Sequence, residues 1–264
     1  GAEGFRQARF RMGSLGWGEE IAMPLLTAAL IVAALQTGAP TASGPVGGIP
    51  EDSRLETFKA LCTPDRRSLE RTSARMAAAG WVKAEEVDHP ELAATMALAR
   101  NEMDDPEYPM KNEQEIWKSP EGPAGRYVIL NRVSATIGDN EDSDGDGVLQ
   151  SWEKATELVF LGCGLWDFEA TAGIHPGLMS AWTTQLAAQT ADEPGKIEGG
   201  TWNVYHFMPG TADVKIGFVP EGSPYVERIG FSGAMITMTS APEEDEEAAE
   251  AEVAPTPAPA AAED

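Results

Sequence analysis

Four carboxylates fall within twelve residues, Asp142, Asp144, Asp146 and Glu153, and Gly147 follows the third of them directly. Ionised side chains this close repel one another strongly unless a cation sits among them. A hard divalent ion such as calcium takes six to eight oxygens at about 2.3–2.6 Å, so a loop that holds it must turn several carboxylates inward at once. In a loop that holds such an ion, the alternation of Asp142, Asp144 and Asp146 would bring three carboxylates to one centre. Gly147 permits a sharp turn there, where a side chain would be strained. Asp139 and Glu141, just upstream, add negative field without being ligands. The competing account is a solvated acidic turn, which acidic chains produce readily.

Residues 142–153 read Asp-Ser-Asp-Gly-Asp-Gly-Val-Leu-Gln-Ser-Trp-Glu, and this resembles the EF-hand calcium loop at every diagnostic position. The resemblance covers those residues alone. It implies a calcium ion held by the side chains of Asp142, Asp144 and Asp146 and by the backbone carbonyl of Val148. Gln150 at the ninth position would act through a water, and Glu153 would close the site with two oxygens. Leu149 matches the apolar eighth position that turns inward in the family. The surroundings depart from the family pattern: a helix should precede the loop, whereas residues 126–135 read as a strand. Residues 150–157 fit a short exiting helix. No second loop of this kind occurs, so the paired, opening arrangement of calcium sensors is not expected. The ion would be structural, clamping a connection between two strands.

Other residues that could do chemistry are sparse. There are three histidines, His89, His175 and His206. The first two precede a proline at presumed helix starts and read as caps, while His206 alternates with Tyr205 and Phe207 in a strand. No zinc-protease motif, phosphate-cradling glycine loop or dinucleotide fingerprint appears. Gly230-Phe231-Ser232-Gly233 lacks the spacing of a nucleophile elbow and reads as a strand entry. Glu85, Glu86, Asp104, Asp105 and Glu107 form clusters of the kind that line solvated faces, and Trp81, Trp117, Trp152, Trp166, Trp182 and Trp202 read mostly as core.

The elements that must position the loop come from periodicity. Leu55, Phe58 and Cys62 share a helical face; a second helix is expected over 64–80, stopped by Gly80, and a third from 88 to 103 with Leu92, Met96, Ala99 and Met103 on one side. Strands are expected over 126–134, 158–168, 201–208, 213–219 and 230–239, with one more helix over 176–190. The result is an α+β domain: an antiparallel sheet of about five strands covered by helices, with the calcium loop inserted between two strands.

Net charge is −24, and residues 241–264 carry nine acids and no base, which leaves −15 on the rest. Such a surface repels phosphate backbones and anionic lipid, so neither nucleic acid nor a membrane surface is an expected partner. The twelve-residue apolar run 24–35, with a small-residue exit at 42–44, is too short to span a bilayer, which takes about 20 residues. It fits a secretory signal, the alternative being a buried helix or an uncleaved anchor. Cys62 and Cys163 belong to no Cys-x-x-Cys pair; in an exported chain they suggest one disulfide, the alternative being two buried thiols. The expected organisation is a leader over 1–43, a linker over 44–52, the domain over 53–240 and a disordered acidic tail over 241–264. The sequence thus points to a periplasmic or secreted calcium-binding protein that acts as a binding or interaction module for an unidentified protein partner. The rival class is a secreted hydrolase whose site assembles around His206 or His175.

Overall fold

The computed structural model describes residues 48–103, 110–120, 125–137 and 155–243. Among these residues eight strands form one sheet: β1 (Val82–Lys83), β2 (Met110–Lys118), β3 (Arg126–Ile137), β4 (Thr156–Asp167), β5 (Gln189–Thr190), β6 (Glu198–Asn203), β7 (Thr211–Val219) and β8 (Gly233–Ser240). Their order is β1-β2-β3-β4-β8-β7-β6-β5, and every neighbouring pair is antiparallel. The sheet is therefore two four-stranded meanders, joined through the last strand of each.

The expected five-stranded sheet covered by helices is thus wrong: the fold is mainly β, with one eight-stranded sheet and few helices. The five strands read from the sequence are β3, β4, β6, β7 and β8. The missing ones have a physical reason to be missed. β2, Met-Lys-Asn-Glu-Gln-Glu-Ile-Trp-Lys, is polar over most of its length and is strand only because it pairs with β3 along nine residues. β1 and β5 hold two residues each, too few to carry a period. The helix expected over 176–190 stops early, because Thr184 adopts a left-handed conformation at φ 57°, and Gln189–Thr190 joins the sheet instead.

The helices are α1 (Ser53–Cys62), α2 (Leu69–Ala78), α3 (Pro90–Met103), α4 (Pro176–Thr183) and the single turn α5 (Val226–Ile229). Each longer one begins on an acceptor that satisfies an orphan helix N–H. Asp52 takes the Arg54 N–H at 2.9 Å and Ser68 takes that of Arg71 at 3.3 Å. In α3 and α4 a histidine does this work ahead of a proline: Nδ1 of His89 accepts from Glu91 N–H at 3.3 Å, and Nδ1 of His175 from Gly177 N–H at 3.0 Å. Among the described residues no helix is long and apolar enough to cross a membrane.

Strand alternation divides the core between the two faces of the sheet. Val128, Leu130, Cys163, Leu165, Val214, Ile216, Ile236 and Met238 pack with Leu55, Phe58, Met76 and Met179, which come from α1, α2 and α4. On the other face Tyr127, Ile129, Trp166 and Met235 pack with Leu92 and Met96 of α3 and, at the margin, Val226 and Ile229 of α5. Burying each large apolar side chain contributes about 1.5–3 kcal/mol. Cys62, the last residue of α1, is disulfide-bonded to Cys163 in the middle of β4, with 5.8 Å between Cα atoms and 101 residues between them in sequence.

Candidate functional site

The acidic loop belongs to the longest hairpin. β3 and β4 run together for twelve residue pairs, from Arg126↔Asp167 to Ile137↔Thr156. Asp142, Asp144, Asp146, Val148, Gln150 and Glu153 lie outside the described residues, as does Trp152. What the described residues fix is where the chain leaves and returns: Ile137 and Thr156 are partners across the ladder, which holds the two ends of the connection roughly 5 Å apart. β4 already begins at Thr156, so the exiting helix expected over 150–157 does not include Thr156 or Glu157. β8 accompanies β4 only from Leu161 to Asp167, so the outer part of the hairpin projects past the end of β8. Among the described residues no group of three or more His, Cys, Asp or Glu side chains is placed to hold a metal ion.

The histidines of the hydrolase alternative are separated and otherwise engaged. His175 caps α4 through Nδ1. His206 is exposed on the turn that follows β6, not in a strand, and its ring stands edge-on to Tyr205 with centroids 6.1 Å apart. Among the described residues the histidine within reach of a carboxylate is His89, whose Nε2 lies 4.0 Å from Glu169 Oε1. Its ring is stacked on Phe168 at 4.6 Å, and its Nδ1 is committed to the cap of α3. Ser232, in the segment that enters β8, donates from both N–H (2.9 Å) and Oγ (2.8 Å) to Glu91 Oε1, so its hydroxyl proton already has an acceptor. Glu85 and Glu86 line a shallow groove at the β1 edge with Lys83, Gln114 and Glu115. Glu86 is paired there with Arg100 at 2.6 Å, and Asp104, Asp105 and Glu107 lie outside the described residues.

The sheet also assembles a polar stripe that sequence reading did not find. Residues that are partners across successive strands share a face. Following the register from β2 to β6 gives Gln114, Asn131, Gly162, Thr239, Asp213 and Asn203 in one row. The next row ends in Thr237, Lys215 and Thr201. Both lie on the face that carries Ile129 and Trp166. Gly162 is required: the buried Asn131 carboxamide sits where a Cβ on that residue would be.

Asp213 Oδ1, and Asn112 Oδ1 in the adjoining row, are buried without a hydrogen-bond partner among the described residues. Burial pushes the Asp213 carboxyl above the usual aspartate range, and the Lys215 ammonium, 3.6 Å away, offsets only part of this. Amides, hydroxyls, one acid and one ammonium can bind polar groups. They supply no activated nucleophile. The only signal in the sequence was the placing of Asn131 and Asp213 inside otherwise apolar strands, and which strands lie beside them is not written there.

Compared with known protein families, with curated proteins and with solved structures, the chain matches none.

Proposed function

We propose that this chain is an exported calcium-binding protein whose ion is structural. Asp142, Asp144 and Asp146, the Val148 carbonyl, Gln150 and Glu153 hold the ion in the connection between β3 and β4, and the domain acts by binding or interaction. The observation that carries this is the register of the hairpin: Ile137 opposite Thr156 brings both ends of an eighteen-residue connection to one place. An ion that gathers four carboxylates there gives the connection the binding free energy it needs to remain ordered, because ligands that bind only the native state stabilise it. The disulfide supports residence in an oxidising compartment, periplasmic or extracellular. The binding-module reading is favoured over the hydrolase because His175 is occupied as a cap and His206 sits apart on an exposed turn.

Titration calorimetry of the full chain with calcium, beside a Glu153→Gln variant, tests this. One saturable site is expected in the native chain, with affinity reduced tenfold or more in the variant, about 1.4 kcal/mol or above. Absence of a saturable site in the native chain sinks the proposal. Mass spectrometry of the mature N-terminus tests export separately, and a retained residue 23 would argue against it.

A further inference from the structure

In a chain of net charge −24, Arg66, Arg67, Arg71 and Arg75 fall within ten residues, the first two at the elbow between α1 and α2, Arg71 in the first turn of α2 and Arg75 in its last. Among the described residues, two carboxylates lie within ion-pair distance of these four guanidinium groups. Asp65 is shared between Arg75 at 2.6 Å and Arg71 at 3.6 Å, and Glu243 meets Arg71 at 2.6 Å. Arg66 and Arg67 are satisfied by neutral acceptors instead: Arg66 by the Thr211 hydroxyl and the Thr63 and Pro209 carbonyls, Arg67 by the carbonyls of Ala241 and Pro242. The elbow therefore keeps a surplus of positive charge.

The path of the chain after β8 runs directly over this surplus. Pro242 cannot donate to a ladder, so the strand ends just before it, and the Glu243 N–H bonds to the Arg67 carbonyl at 3.1 Å. The residues that come next in sequence are Glu244, Asp245, Glu246 and Glu247. We propose that the α1–α2 elbow is a docking site for carboxylate-rich peptide and that its occupant is this acidic run, residues 244–247, held as an intramolecular latch. Glu243 is the first contact of that latch. Tethering makes it favourable even though each exposed ion pair is weak, because the run cannot diffuse away from the elbow. Another acidic peptide would have to displace it.

Arginine-specific modification of the full chain with phenylglyoxal, read by mass spectrometry at each arginine, tests the latch. The native chain is compared with a variant carrying E244Q, D245N, E246Q and E247Q, which leaves every residue of the described strands and helices unchanged. At low salt Arg66 and Arg71 should react about threefold faster or more in the variant, and the difference should vanish near ~0.5 M salt, where the screening length falls to a few ångströms. Arg100, which is 54% exposed and paired with Glu86, serves as a control and should react equally in both. Equal rates at Arg66 and Arg71 in the two chains at low salt overturn the proposal. So does an increase that includes Arg100, since that would mark general loosening.

Discussion

At Asp213 a single carboxyl is held in conflict with its surroundings. Its Oδ1 has no hydrogen-bond partner among the described residues, and burial raises its pKa against the weaker pull of Lys215. A carboxyl whose folded-state pKa lies above its unfolded value binds its proton more tightly in the native state. Its contribution to stability is therefore present in acid and is lost as pH rises through the folded pKa. Asp213→Asn, which keeps the shape and removes the charge, should raise the melting temperature at pH 7 to 8. The gain should shrink as pH falls toward the carboxylate range near ~4. Melting curves across that range check this, and a variant that melts lower than the native chain at neutral pH would show that the charge is needed.

At the level of elements, the bond between Cys62 and Cys163 fastens α1 to the central strand that leads out of the acidic loop. Closing 101 residues restricts the unfolded chain, which by the loop-entropy relation stabilises the native state by about 4–5 kcal/mol. Replacing both cysteines with alanine should lower the urea-unfolding free energy by an amount of that order, because both side chains are also buried. A loss below ~1 kcal/mol would mean that the unfolded chain is already restrained in other ways. β2 shows why an element can be invisible in sequence. Six of its nine residues are polar, only Ile116 and Trp117 are buried, and the strand conformation is supplied by pairing with β3.

For the whole molecule, the proposed ion and the charge of −24 act together. A structural calcium ion should raise the melting temperature, by an amount equivalent to about 2.7 kcal/mol at a hundredfold excess over Kd, without increasing the binding of dyes that report apolar surface. A sensor would expose such surface on binding calcium. Differential scanning calorimetry in calcium, in magnesium and in chelator separates these outcomes, and equal melting in all three would remove the structural role. The arrangement of the sheet makes the first outcome the expected one. The acidic connection leaves from two strands of a continuous sheet rather than from two helices able to rotate apart.

Local chemistry was legible in the sequence because it depends on neighbours along the chain. The histidine and proline starts of α3 and α4, the face of α1 that carries Cys62, the alternation of β3, the apolar run of β4 and the Gly- and Pro-bounded segments of β7 and β8 all follow from patterns within about a dozen residues. The loop signature over 142–153 is of the same kind. Which strands lie side by side was decided only in three dimensions. The pairing of β4 with β8 joins residues more than sixty positions apart, and no pattern within either strand names its partner. That pairing made the sheet eight strands wide, set Asn131, Gly162, Thr239 and Asp213 in one row, and ended β8 at the arginine elbow. Each of these rests on long-range hydrogen bonds and packing, which local periodicity does not encode.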